Sequence, residues 1–174
     1  RLVGRAFLIR FADDFVVVFS HEADARRVLE VLPKRFAKFG LTLHPTKTRL
    51  VPFRNPGSPE VREGLTPPPE AFDLLGFTHY WGQSRRGYWV VKRKTARSRL
   101  RRATRVMAEW CRKHLHRPIP AQHRTLCQKL RGHYAYYALT GNSGALSAFR
   151  ETVTHIWRKW LSRRKRGHPM NWDV

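Results

Sequence analysis

The chain has 174 residues, 41% of them hydrophobic, and carries 35 Lys and Arg against 12 Asp and Glu, a formal net charge of +23. That length suits one ordinary domain or two small ones, and that apolar content excludes wholesale disorder. No apolar run approaches the ~20 residues that cross a bilayer, so no membrane partner is expected, and two cysteines make no disulfide framework, which favours a reduced, cytoplasmic setting.

The opening stretch, residues 5–20, reads R-A-F-L-I-R-F-A-D-D-F-V-V-V-F-S. β-branched and aromatic runs on either side of Asp13 and Asp14 predict a hairpin with both acids at or near its bend and both arms in a core. Asp is common in turns, where it bonds its own backbone. Two adjacent carboxylates also repel, and a divalent cation such as Mg²⁺ is their natural partner. Ser20 is placed to cap a helix with Glu22 and Asp24 in its first turn. Ala25, Val28, Leu29, Leu32, Phe36 and Phe39 mark its buried face, Pro33 predicts a kink or break, and Gly40 a stop. Short strands are predicted at 41–43 and 48–53, around a turn at 44–47. Residues 54–70, rich in Pro and Gly, predict an exposed loop. A second hairpin follows, with arms at 72–81 and 88–93.

The remainder predicts three amphipathic helices, at 96–116, 121–139 and 145–164, joined by short turns into an antiparallel bundle. Leu100, Ala103, Met107, Trp110 and Leu115 mark the apolar side of the first. Leu126, Leu130, Tyr134 and Tyr137 mark the second, and Leu146, Phe149, Val153, Ile156, Trp157 and Trp160 the third. The core spacing of Trp110, Trp157 and Trp160 favours packing over base stacking. Cys111, His114, His116, His123 and Cys127 have loosely zinc-like spacing, but His114 and His116 cannot share a helix face, so ordinary packing is the better reading.

Charge is concentrated in this second half. Residues 1–91 hold 14 basic and 9 acidic side chains, a net +5, whereas residues 92–174 hold 21 and 3, a net +18. A strongly basic helical region is the electrostatic footprint of a nucleic-acid binder. The candidate phosphate contacts are Arg97, Arg101, Arg105, Arg131 and the basic run Arg163-Arg164-Lys165-Arg166, with Tyr134 among the tyrosines that could stack on a base.

The string Phe11-Ala12-Asp13-Asp14 between apolar strands resembles the Tyr/Phe-x-Asp-Asp hairpin of reverse transcriptases. Residues 39–48, F-G-L-T-L-H-P-T-K-T, resemble the segment that follows this hairpin in group II intron reverse transcriptases. Phe72-Asp73-Leu74-Leu75-Gly76-Phe77 resembles their Phe-x-Phe-Leu-Gly-Phe strand. Residues 130–137, then Gly141-Asn142 and 157–164, resemble their maturase-specific thumb.

The resemblance implies an α+β fold: residues 1–93 as the C-terminal part of a polymerase palm, and residues 94–174 as a three-helix thumb and maturase domain. It implies part of an RNA-directed DNA polymerase using Mg²⁺, with group II intron RNA and an RNA/DNA template-primer as partners. Asp13 and Asp14 then match metal-binding acids and Phe11 the aromatic position before them. Lys47 matches a lysine that could steady the triphosphate or protonate pyrophosphate, and Leu75 and Gly76 match a strand that supports the primer. The family's third carboxylate and its fingers lie upstream of this hairpin, and nothing acidic precedes Asp13. The chain also opens on Arg rather than Met. It is therefore expected to be a portion of a longer enzyme, a degenerate remnant, or one half completed by an N-terminal reverse transcriptase half, and to be inactive alone. The alternative is a non-catalytic RNA-binding splicing factor that keeps the hairpin as scaffold.

Overall fold

The computed structural model describes residues 1–164, so Lys165 and Arg166 of the C-terminal basic run lie outside the described residues. The architecture is mixed α+β, as expected: the described residues form two small antiparallel sheets and five helices. The first sheet is a hairpin of β1 (Ala6–Phe11) and β2 (Asp14–Phe19), in the register Phe7↔Val18, Ile9↔Val16 and Phe11↔Asp14. α1 (Glu22–Ala37) packs back on it, with the Phe15 and Phe36 rings 6.0 Å apart.

The expectation that both arms lie in a core is overturned. β1 is exposed along its whole length, with Phe7, Ile9 and Phe11 each more than half exposed. A two-stranded ribbon covered by one helix on the β2 side leaves its outer face and the β1 edge bare; three strands or a helix across the sheet are needed to bury such residues. Ser20 does not cap α1 either. His21 occupies that position without a side-chain bond, and Ser20 Oγ instead accepts from Arg5 N–H at 2.8 Å and ties the open end of the hairpin.

The first turn of α1 is held by a contact that helix patterning did not suggest. Buried Asp24 accepts hydrogen bonds from Gly4 N–H at 2.8 Å and from Val3 N–H at 3.0 and 3.1 Å, pinning the chain's first residues to the helix. These backbone donors, Gly4 first, hold the Asp24 carboxyl below its ordinary value, with His21 and Arg27 adding to the effect and burial opposing it. Because the folded value is depressed, the stabilisation is fully present above the unfolded carboxyl value near pH ~4 and is lost as pH falls through the folded value. Urea midpoints should therefore drop on acidification below about pH 4 in the native chain and respond less in Asp24→Asn; equal slopes would show that the contact contributes nothing.

α1 runs through Pro33 without a break. Pro33 is exposed, and the helix forgoes one hydrogen bond there while Leu32 and Phe36 stay half-buried. The expected stop at Gly40 is observed: Gly40 has φ +67°, its N–H reaches Ala37 C=O, and Leu41 N–H reaches Phe36 C=O. That pairing is a Schellman motif, which needs a left-handed residue at this position. The strands expected at 41–43 and 48–53 do not form, although the turn between them does, closed by Thr48 N–H to His44 C=O. A strand exists only when another strand takes its hydrogen bonds, and this segment packs through side chains instead. Phe53 lies 4.9 Å from Phe72 and 5.5 Å from Trp81, ring to ring, and its carbonyl accepts from Trp81 Nε1. The Pro-rich loop contains a single helical turn, α2 (Pro59–Arg62).

The second sheet is ordered β3 (Phe72–Leu74), β4 (Phe77–Gln83), β5 (Trp89–Thr95). The arm expected as one strand over 72–81 is thus two strands. Leu75 and Gly76 form a tight turn between them, with φ +51° and +79°, the conformation of a two-residue hairpin loop that follows strand twist.

α3 (Arg97–Lys113), α4 (Ile119–Tyr137) and α5 (Ser143–Arg164) follow, close to their expected bounds. Their buried core is Met107, Cys111, Leu126, Phe149, Val153, Trp157 and Leu161, flanked by Leu100, Ala103, Trp110, Leu130, Ile156 and Trp160. The three tryptophans are packing residues, as their spacing implied. Burial pushes the Cys111 thiol up to about 11, so it behaves as a small apolar side chain. Two buried amides knit the parts together. Gln122 Nε2 donates to Leu115 C=O at 3.2 Å and Arg117 C=O at 2.7 Å, while its Oε1 accepts from Trp157 Nε1 at 2.9 Å. Asn142 Oδ1 accepts from Thr95 N–H, and its Nδ2 donates to Thr95 Oγ1 and Tyr137 C=O, joining β5 to the α4–α5 turn. No described helix is long and apolar enough to cross a membrane.

Candidate functional site

Asp13 and Asp14 stand at the tip of the first hairpin. Ala12 and Asp13 form its two-residue loop, with Ala12 at φ +50°, a left-handed conformation that L-residues seldom adopt. Arg10 folds back over the loop, Nε to Ala12 C=O at 2.9 Å, and satisfies a carbonyl at the bend. Asp14 opposes Phe11 in the strand ladder. Side chains alternate along a strand, so Asp14 shares the outer face with Phe7, Ile9, Phe11, Val16 and Val18. Both acids are exposed, and neither has a hydrogen bond or ion pair within the described residues, so four carboxylate oxygens are available to a ligand.

In kind, this donor set fits a hard divalent cation such as Mg²⁺, which takes carboxylate oxygen. In number it provides two carboxylates, and among the described residues no group of three or more His, Cys, Asp or Glu side chains is placed to hold a metal. Lys47 is an exposed lysine at the His44–Thr48 turn.

Leu75 and Gly76 are held on both sides. Tyr136 donates its hydroxyl to Leu75 C=O at 2.9 Å, and Ala96 N–H donates to Gly76 C=O at 2.9 Å. A Cβ on Gly76 would lie 3.0 Å from the Tyr137 hydroxyl, and the backbone there is left-handed, so both space and φ require glycine. Phe77 is buried beneath the turn, its ring 5.9 Å from Tyr136 and 5.2 Å from Tyr137. The turn is therefore fixed to α4 rather than loose at a sheet edge. The sequence singles out Leu75 and Gly76 by resemblance and gives no sign of Tyr136 as their anchor. The Tyr134-Ala135-Tyr136-Tyr137 run showed only that one ring points away from the core.

Among the basic residues, Arg97, Arg101 and Arg105 recur every four positions along α3 and are all exposed, forming one stripe. Arg105 lies 3.9 Å from Glu109. Arg131 is exposed on α4 and Tyr134 is half-exposed. Arg163 lies over the Trp160 ring, 4.7 Å from its centroid, and Arg164 donates to Arg117 C=O.

A second cationic group went unnoticed in the sequence. Arg99, Arg102 and Lys129 line one open groove of about 450 Å³ between the three helices, with no acidic side chain along it. The i, i+3 spacing of Arg99 and Arg102 beside Ala103 and Val106 is its only signal in the sequence.

Residues 2–79 match the family model of reverse transcriptase (RNA-dependent DNA polymerase). That match spans the Asp13–Asp14 hairpin, Lys47 and the Leu75–Gly76 turn, and stops short of the three-helix region. No curated protein and no solved structure matches the chain.

Proposed function

We propose that this chain is part of an RNA-directed DNA polymerase of the group II intron type, with residues 1–93 in its palm and residues 94–174 in its thumb and maturase region. The observation that carries the reading is the hairpin tip. Two unpaired, exposed carboxylates, Asp13 in the two-residue turn and Asp14 at the first position of β2, stand at one hairpin tip, inside the segment that matches the reverse transcriptase family. Asp13 and Asp14 would hold Mg²⁺, which when bound neutralises charge on the transferred phosphate and lowers the pKa of the primer 3′ hydroxyl. In this reading Phe11 faces the incoming nucleotide beside them and Lys47 supplies a cation for the triphosphate or pyrophosphate. The Leu75–Gly76 turn, anchored by Tyr136, bears on the primer end. Arg97, Arg101, Arg105, Arg131, Arg163 and Arg164 take phosphates, and Tyr134 stacks on a base. The bare apolar face of β1 supports further reverse transcriptase sequence packing there, an N-terminal half that brings the third carboxylate with it.

A second reading is favoured by the +18 charge of residues 92–174 together with the two-carboxylate donor set: an RNA-binding splicing factor without polymerase chemistry. Primer extension on an RNA template, with and without a supplied N-terminal half, separates the two. Incorporation by the assembled pair supports the polymerase; none, with RNA binding intact, leaves the splicing factor. Both readings require log Kd to rise steeply with log salt, with a slope of about 0.7–0.9 per phosphate neutralised, and to lose about one unit of slope with each arginine of the α3 stripe replaced by Gln. A flat salt profile defeats both.

A further inference from the structure

The groove between α3, α4 and α5 has a composition that the hairpin chemistry does not use. Its rim carries three cations, Arg99, Arg102 and Lys129, and none of them is paired with a carboxylate. Its floor and walls are apolar or aromatic: Phe149 lies buried at the bottom, with His133 and Tyr137 beside it. The His133 ring sits 4.2 Å from Phe149 and 4.5 Å from Tyr137, centroid to centroid. Its Nε2 is shielded from solvent and has no hydrogen-bond partner among the described residues. An aromatic, apolar trough rimmed by cations and free of acidic side chains suits an occupant with a flat, mostly apolar body that carries negative charge outside the groove.

We propose that this groove receives one unpaired nucleotide of a bound RNA strand, its base seated against Tyr137 and His133 and its flanking phosphates on Arg99, Arg102 and Lys129. Burial holds the imidazole below its ordinary value, so the ring is neutral at pH 7 and, with Phe149 and Tyr137, forms the aromatic floor against which a base can sit. The groove opens on the side of α3 that carries Arg99 and Arg102, apart from the Arg97–Arg101–Arg105 stripe. Arg99 and Arg102 lie around α3 from that stripe, so the strand that fills the groove runs along the groove's own rim, on Arg99, Arg102 and Lys129. The proposal rests on the nucleic-acid-binding reading above and gives it a structural preference, for RNA that offers an unpaired base.

The test uses the full chain with two RNA duplexes of the same number of base pairs, one perfectly paired and one with a single bulged 2-aminopurine that adds one phosphate. Fluorescence anisotropy gives the two affinities at one salt concentration, and 2-aminopurine emission reports stacking. The bulged RNA should bind about tenfold tighter, with its emission quenched. Arg102→Gln, at an exposed side chain, and Lys129→Gln should each bring that ratio towards one. Arg101→Gln should weaken both RNAs alike and leave the ratio intact. A ratio near one in the native chain, with steep salt-dependent binding of the paired duplex, overturns the groove and leaves the wider reading standing. A ratio that survives the Arg102→Gln, Lys129→Gln double substitution also overturns it. Loss of all RNA binding removes both.

Discussion

Replacing Trp157 with alanine is expected to cost at least about 4 kcal/mol of folding stability, the largest effect of any single substitution in the helical region. Trp157 is 7% exposed and belongs to the buried cluster with Phe149, Val153 and Leu161. Removing so large a ring from a core that relaxes only partly costs about 3–5 kcal/mol. A second loss follows from the indole N–H, which donates to Gln122 Oε1 at 2.9 Å. Gln122 is 1% exposed and already commits both amide hydrogens to Leu115 and Arg117 carbonyls, so it cannot swing to find another donor. A buried acceptor left bare costs about 1–3 kcal/mol. Trp157→Phe separates the two terms, keeping most of the apolar volume while losing the donor, and should cost about half as much. Urea unfolding followed by helical circular dichroism reads both. At this chain length the alanine variant should melt about 10 °C lower. A loss under about 2 kcal/mol for Trp157→Ala would mean that α5 is not held through this residue.

The same residue shows what the sequence could and could not reveal. Trp157 was legible as core because Phe149, Val153, Ile156, Trp157 and Trp160 repeat at helical spacing, and helix patterning records which face is apolar. Gln122 and Asn142 were not legible as core, because a polar side chain within a helix or turn looks the same whether it meets water or a carbonyl. Only the fold brings Leu115, Arg117 and Trp157 to one amide, and Thr95 and Tyr137 to the other.

The hairpin shows the opposite failure. Phe7, Ile9 and Phe11 form the strand that their pattern predicts, yet their apolarity alone does not bury them. Composition states what a face would bury against and not whether anything is there, and β1 has no cover among the described residues. Residues 41–53 failed for a related reason. Their strand-like composition is real, but strand formation depends on a pairing partner that no local pattern encodes. Leu75 in a left-handed turn was hidden because a bulky residue disfavours that conformation. Its cost is met by the two hydrogen bonds from Tyr136 and Ala96, which lie 61 and about 20 positions along the chain.

The decisive test of the hairpin is chemical. In a polymerase assay with a supplied N-terminal reverse transcriptase half, the proposed function requires Asp13→Ala and Asp14→Ala each to lower nucleotide incorporation by on the order of 10²–10³ or more, the scale of losing one group that stabilises developing charge. Template-primer affinity should change little, because both side chains are exposed and unpaired and their removal leaves the basic residues of α3 and α4 in place. The alternative role, an aspartate that simply makes a good turn, predicts something different. Asn supports the same local backbone hydrogen bonds as Asp, so Asp13→Asn would retain the hairpin and, under a turn-only role, the activity. Under the metal role it would not, since a neutral amide is a poor ligand for a hard cation. Asp14 sharpens the distinction, because its backbone lies in the ladder opposite Phe11 and its side-chain direction is set by strand alternation, not by the turn. If Asp13→Asn and Asp14→Asn both incorporate nucleotide at the native rate, the carboxylates serve the bend alone and the polymerase reading of the hairpin falls. If both lose activity while circular dichroism and RNA affinity are unchanged, the charge itself is the functional group, and the strained Ala12 at φ +50° is the local cost of presenting two acids at one tip.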